Sequence, residues 1–192
     1  MAKALVSYTV LKRSMDIIGG LIGLFATGFL YIPVALAIKL DSPGPVIFTQ
    51  DRLGKDETLF RIYKFRTMHL DTANGHTKPL VDDSRVTNLG RWLRRSSLDE
   101  LPQFYNVLRG DMSLVGPRPE QLPLAARYHG WQRRRFAVKP GLTGWWQVNG
   151  RPQPMYEHVE YDIYYVDHCC TRLDLIILLR TPHAILSGAG AV

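Results

Sequence analysis

Cysteine is almost missing: the 192 residues hold two, Cys169 and Cys170, and they are adjacent. Neighbouring cysteines cannot form an ordinary structural disulfide with each other, so a disulfide scaffold is excluded and a reducing compartment fits. Negative charge is also in short supply. Seventeen Asp+Glu stand against 24 Lys+Arg, giving +7 and a pI near 9.6. That excess asks for an anionic partner, which charge alone leaves as nucleic acid, a phospholipid surface or a phosphorylated substrate. No GxGxxG or GxxxxGK[ST] loop occurs, so the familiar nucleotide cradles are excluded. The six histidines are scattered without zinc spacing, and His168 beside the two cysteines reads as a structural segment. Repeats and low-complexity tracts are absent. Hydrophobic residues make 46% and charged residues 21%, which excludes wholesale disorder, and a mean hydropathy of −0.09 excludes a polytopic membrane protein. The length suits one domain, or one domain with an appendage, whose core folds without staples.

One long apolar run is present, at 17–38, and it contains no charged residue. At about 1.5 Å per residue a helix of that length just crosses a ~30 Å hydrocarbon core. Four readings compete: a signal peptide, a buried soluble helix, a bilayer span, and a re-entrant segment. Ala35-Leu36-Ala37 resembles a cleavage site, but the run is long for a signal peptide and carries Pro33 inside. A buried soluble helix rarely avoids every polar face over such a length. A span would leave either the basic arm (Lys3, Lys12, Arg13) or the basic remainder outside, against the positive-inside tendency. A helix broken near Gly28 or Pro33 returns both basic ends to one side, so the re-entrant hairpin is the favoured reading.

Beyond the turn cluster Asp41-Ser42-Pro43-Gly44-Pro45, the β-branched and aromatic runs 46–48 and 60–65 around Gly54 read as a hairpin. Residues 71–83 read as a mobile polar loop. Helical spacing is expected over 88–95 and 98–108, then over 121–136, 156–165 and 173–186. The proline-rich 115–119 reads as a fixed loop, and the glycine-punctuated 140–151 as another.

The unusual chemistry lies at Ser96-Ser97-Leu98-Asp99-Glu100, two adjacent acids directly after Arg91, Arg94 and Arg95. Taken alone, this is a capped helix start whose acids complement the macrodipole. Other cations, however, sit in rigid settings: Lys64 and Arg66 after a strand, Arg118 between prolines, Arg151 after a glycine turn. Arginine on a fixed backbone grips phosphate bidentately, and two carboxylates amid such groups can bind Mg²⁺ and attack phosphorus.

The blocks KRSMD (12–16), DSPGPVIFTQDRLG (41–54), YKFRTM (63–68), RRSSLDELPQFYNVLRGDMSLVGPRP (94–119), PGLTGWWQVNGR (140–151) and DIYYV (162–166) carry a resemblance. In order and together, they resemble the bacterial sugar transferases, the monotopic polyprenyl-phosphate phosphoglycosyl transferases, over nearly the whole chain. The resemblance implies an α+β, mainly helical fold, with a re-entrant membrane helix at 1–40 and a cytoplasmic, membrane-associated catalytic domain at 41–192. Interfacial amphipathic helices and a small β-hairpin would surround the catalytic core. It implies a catalytic and Mg²⁺-binding dyad at Asp99 and Glu100, with Lys64, Arg66, Arg94, Arg118, Gln147 and Arg151 binding substrate. The family's membrane helix breaks at a Ser-Pro pair. The corresponding pair here is Gly28-Phe29 and the run's sole proline is Pro33, so Gly28 and Pro33 are the expected break points. The implied substrates are a UDP-sugar and undecaprenyl phosphate, at the cytoplasmic face of the bacterial inner membrane, in the small catalytic-core form of the family. Which sugar is transferred, and whether the chain forms a homo-oligomer with membrane lipid around it, stays open. A non-catalytic membrane anchor binding anionic lipid or protein is the competing reading; no nucleic-acid partner is expected, because such a partner leaves the apolar run unexplained.

Overall fold

The computed structural model describes residues 2–70, 85–151 and 155–187. The loop expected at 71–83 lies outside the described residues. The chain begins with a 40-residue helix, α1 (Ala2–Asp41). Contrary to expectation, α1 stays helical through both Gly28 and Pro33. Proline removes one backbone donor and crowds the preceding turn, a local penalty. Contacts with the rest of the chain hold the helix on both sides of it: Phe104 lies against Gly23 upstream, while Val34 and Ile38 join Phe65 and Leu93 downstream. Around Gly28 the space is open, so that glycine serves no close approach.

Small residues make one face of α1 a docking strip. A Cβ on Gly23 would sit 2.3 Å from the Phe104 ring, and Gly19 and Gly20 are similarly filled by Leu114 and Leu108. Ile18, Ile22, Phe25, Phe29, Ile32, Leu36 and Leu40 form the opposite stripe at helical spacing, and it is bare, with Phe25 81% exposed. The helix is long and apolar enough to cross a membrane.

The expected hairpin is present as β1 (Ile47–Leu53) and β2 (Leu59–Phe65), antiparallel from Ile47 opposite Phe65 to Leu53 opposite Leu59. A two-residue strand, β4 (Glu120–Gln121), extends the sheet to the order β2-β1-β4. Next in the chain is α2 (Asn88–Arg95), whose first turn is capped by the Thr87 hydroxyl accepting from the Gly90 amide. The single helix expected at 98–108 is instead a 3₁₀ helix, Leu98–Gln103, followed by α3 (Phe104–Arg109). Pro102 lacks the donor an α-helix needs there.

Strand β3 (Ser113–Val115) pairs in parallel with β5 (Gly141–Thr143), and α5 (Trp145–Val148) follows. The segment 140–151 is thus a strand and a short helix rather than a loop. Its glycines permit this pairing: a Cβ on Gly141 would lie 2.1 Å from the Gly116 amide nitrogen. The helix expected over 121–136 is interrupted. It survives as α4 (Leu122–Ala125) and a 3₁₀ stretch, Gly130–Ala137, because His129 is extended and Gly130 adopts φ +50. Finally α6 (Glu160–His168) and α7 (Thr171–Leu186) match the last two expected helices to within a few residues.

Candidate active site

Strand β2 delivers Lys64, and α2 delivers Arg94. Ser97 then turns the chain through a left-handed conformation (φ 56, ψ 15) into the 3₁₀ helix that bears Asp99 and Glu100. In an ideal α-helix neighbouring residues point apart. Here the turn departs from that geometry, and Lys64 Nζ reaches both acids, 3.7 Å from Asp99 Oδ2 and 2.6 Å from Glu100 Oε1.

The two acids have opposite environments. Arg118 Nη2 donates to Glu100 Oε1 at 2.7 Å and Nη1 reaches Oε2 at 3.5 Å. Burial pushes the Glu100 carboxyl up, but Arg118 and Lys64 outweigh it and hold it well below the usual carboxylate range. Asp99, 7% exposed, has no such clamp. Burial pushes it up, Lys64 draws it back, and the charge of Glu100 pushes it up further. One acid is therefore locked as an anion in ion pairs, and its neighbour is a desolvated carboxylate with a lysine nearby.

Arg118 is held by its backbone. The Val115 carbonyl accepts from Lys12 Nζ at 3.0 Å and from the Tyr165 hydroxyl at 3.1 Å. The Pro117 carbonyl accepts from the Gly141 amide at 2.8 Å. The Arg118 carbonyl accepts from Arg135 Nη2 at 2.9 Å, and the Pro119 carbonyl from Arg52 Nη1 at 3.2 Å. The fixed loop expected from its prolines is thus pinned by donors from α1, α6, β5, the 3₁₀ stretch and β1. Arg135 is buried and paired with Glu120 at 2.9 Å and Asp162 at 2.7 Å.

The remaining expected residues divide. Arg94 Nε donates to Thr67 Oγ1 at 3.0 Å, and its charge acts on Asp99. Arg151, at φ 49 after Gly150, is close enough to feel Arg118 and Glu100. Arg66 turns away: it donates to the Ser42 carbonyl at 2.6 Å and to the Pro43 carbonyl, bracing the turn that follows α1. Gln147 is buried, and its Nε2 donates to the Leu142 carbonyl at 3.2 Å, bracing β5.

A narrow cleft lies between the hairpin and the acid-bearing turn, lined by Arg52, Lys64, Glu100, Gln103, Arg118 and Pro119 among others. Arg52 and Gln103 escaped the sequence reading. Gln103 lies three residues after Glu100, the spacing that places two side chains on one face of a three-residue-per-turn helix; read as an α-helix, the segment hides that pairing. Burial, together with the neighbouring Arg118, pushes the Arg52 guanidinium down to about 10.

Behind the acids lies α1. The Thr27 hydroxyl, shared with the Gly23 carbonyl of its own helix at 2.7 Å, also reaches the Leu101 carbonyl at 3.1 Å, two residues beyond Asp99. The exposed apolar stripe and the acid pair thus belong to one rigid unit. For metal binding, no group of three acid, histidine or cysteine ligands occurs among the described residues. Mg²⁺ needs fewer, since one or two carboxylates suffice when substrate phosphates and water complete its shell. Asp99 fits that role; Glu100 is already engaged by Arg118 and Lys64.

Comparison with known proteins agrees with this geometry. A family model described as bacterial sugar transferase matches residues 7–188. The galactosyl transferase CpsE of Streptococcus agalactiae is 41% identical over 96% of this chain and 44% of its own length. The UDP-glucose:undecaprenyl-phosphate glucose-1-phosphate transferase of Escherichia coli is 41% identical over 90% of this chain and 39% of its own. An uncharacterized sugar transferase of Bacillus subtilis, EpsL, is 41% identical over 94% of this chain and 90% of its own length. The chain therefore spans less than half the length of the first two and most of the third. With a family model matched over nearly its full length, the chain belongs to the bacterial sugar transferase family.

Proposed function

We propose that the chain transfers a sugar-1-phosphate from a UDP-sugar to undecaprenyl phosphate, releasing UMP and beginning assembly of a membrane-linked polysaccharide or glycoconjugate. The observation that carries this reading is the asymmetric acid pair: a buried Asp99 without a clamp beside a Glu100 locked by Arg118 and Lys64, backed by an apolar helix. The relatives support it, since the Escherichia coli protein is named for such a transfer. In this reading residues 1–40 are the membrane element and 41–192 the catalytic domain on the cytoplasmic face of the inner membrane. α1 enters and leaves on one side; because it is helical throughout, this path bends within the helix, and the core contacts on both sides of Pro33 are what support it.

Asp99 attacks the phosphorus bearing the sugar. An Oδ–P bond forms, the diphosphate P–O bond breaks, and the electron pair leaves on UMP. The mixed anhydride is then attacked by a phosphate oxygen of undecaprenyl phosphate, breaking the Oδ–P bond and returning Asp99 as a carboxylate. Lys64, 3.7 Å from Asp99, orients the carboxylate and opposes the rise that burial imposes on it. Arg118, pinned through its backbone, contacts phosphate with the face not used by Glu100. Mg²⁺ bound at Asp99 and the substrate phosphates would neutralise the diphosphate.

The test uses the full chain in lipid nanodiscs with a panel of UDP-sugars. UMP release without undecaprenyl phosphate, and a phosphosugar adduct on Asp99, are the expected results. Asp99→Asn should abolish both, while Glu100→Gln keeps a partial reaction. Release of UMP only when the lipid acceptor is present would replace the two-step scheme with direct transfer.

A further inference from the structure

Glu100, with Lys64 and Arg118 that clamp it, accounts for part of the cleft wall. The rest of the wall holds two buried groups with no assigned work. Gln103 is 2% exposed, and its Nε2 has no hydrogen-bond partner among the described residues. Arg52 spends Nη1 on the Pro119 carbonyl and Nη2 on Gln50 Oε1 at 2.6 Å, yet its buried Nε likewise has no partner among the described residues. Buried donors are satisfied in nearly all proteins, so two in one cleft wall point to acceptors supplied from outside.

The charge of the wall specifies the acceptor. Three lining cations, Arg52, Lys64 and Arg118, face one lining carboxylate, Glu100, leaving two positive charges. A nucleotide sugar carries two negative charges on its diphosphate, so the cleft and the ligand neutralise each other.

Position divides that diphosphate between the two parts of the wall. Glu100, the neighbour of Asp99, is held by Arg118 Nη2 at 2.7 Å, and the carbonyl of the next residue, Pro119, is held by Arg52 Nη1 at 3.2 Å. Arg118 therefore stands between Asp99 and Arg52. In an in-line displacement the leaving oxygen lies opposite the attacking one, with phosphorus between. An attack from Asp99 thus drives the leaving group towards Arg52. The membrane side argues the same way. β1 begins beside α1 at Ile47, but its latter half pairs with β4 and packs on α4, whereas α1 packs chiefly on α3 and β3. Arg52 belongs to that latter half, so it suits the water-soluble nucleotide better than the lipid acceptor.

We infer that Arg52 and Gln103 form the subsite for the phosphate of the departing nucleoside monophosphate, donating to its oxygens as negative charge develops there. The assignment rests on the transferase reading above.

The experiment compares wild type with Arg52→Gln, Arg52→Lys and Gln103→Leu, each as the full chain in nanodiscs. It measures equilibrium binding of radiolabelled UMP without lipid acceptor, and KM for both substrates, using the UDP-sugar that wild type turns over fastest. Arg52→Gln should weaken UMP binding at least tenfold and raise the UDP-sugar KM, with the undecaprenyl phosphate KM unchanged within twofold. Gln103→Leu should weaken UMP binding severalfold at an unaltered melting temperature, because its amide nitrogen has no protein partner to lose. If Arg52→Gln fails to fold without its Pro119 contact, Arg52→Lys and Gln103→Leu decide the matter. Unchanged UMP affinity in folded variants of an active enzyme overturns the subsite and leaves the transferase reading standing. A shift confined to the undecaprenyl phosphate KM also overturns it, giving these donors to the acceptor phosphate. A wild type that turns over no UDP-sugar, yet binds UMP through Arg52 and Gln103, upholds the subsite and overturns the transferase reading.

Discussion

Removing the carboxylate of Asp174 is the most direct probe of how α1 is moored. Asp174 is buried on α7 and accepts from Tyr8 at 3.1 Å, Lys12 at 3.1 Å and Tyr165 at 2.7 Å. Two of those donors come from α1 and the third from α6. Asp174→Ala leaves the Lys12 ammonium and the Tyr165 hydroxyl sharing the Val115 carbonyl and takes away the acceptor of the Tyr8 hydroxyl. Breaking one partner of a buried ion pair costs about 3–5 kcal/mol. Lys12 is partly exposed, which favours the low end, about 3 kcal/mol. For a protein of this size each kcal/mol lowers Tm by roughly 2–4 °C, so a fall of about 6–12 °C is expected. Differential scanning fluorimetry of detergent-solubilised protein reads it. The double variant Asp174→Ala/Lys12→Met removes both charges and should recover a substantial part of the loss. A Tm within about 2 °C of wild type for Asp174→Ala, or a double variant no better than the single one, would refute the ion pair as the mooring.

Three further outcomes follow from the geometry. Arg118→Lys keeps the charge but loses the planar fork on Glu100, so kcat should fall about tenfold at a Tm close to wild type; unchanged kinetics would remove Arg118 from the site. Pro33→Ala should leave activity and the sidedness of α1 unchanged, because core contacts on both sides of the proline hold the helix; impermeant-thiol labelling of a cysteine placed at Ser7, in a Cys169/Cys170-free background, checks this. Gly23→Leu drives a side chain into the Phe104 ring, 2.3 Å from a Cβ at that site, so it should lower Tm by several degrees, whereas Gly28→Leu, in open space, should not.

Sequence patterns revealed the hairpin because its strands are β-branched and aromatic on both sides of a turn. α2 was equally legible, since its apolar face of Leu89, Trp92 and Leu93 is a local feature. The interrupted region between 121 and 137 was not, for apolar spacing carries no trace of Gly130 at φ +50. Continuity of α1 was misjudged for a related reason. Proline lowers helix stability at one position, by about 3 kcal/mol relative to alanine, whereas the packing that offsets it comes from Phe65, Phe104 and Leu93, distant in the chain. The acids were visible as a pair, and Arg118 as a rigid arginine. Their shared use of Lys64 was hidden, because it depends on the left-handed turn at Ser97 and on 3₁₀ geometry. Arg66 shows the reverse failure: its rigid setting was evident, but its targets, two carbonyls at the end of α1, become apparent only after folding.

The bond from Thr27 to Leu101 makes α1 a ruler. The same helix that leaves Phe25 and Phe29 bare meets the acid-bearing turn with Gly23 and Thr27. In the membrane reading proposed above, the height of Asp99 over the bilayer is therefore set by helical phase, not by the length of any tether. One residue inserted between Gly23 and Thr27 rotates the apolar stripe by about 100° and displaces it by about 1.5 Å relative to the acids. Chains that share the catalytic blocks can consequently diverge in the composition of this helix, yet an insertion that is not close to a whole number of turns would misalign the apolar stripe and the carboxylate.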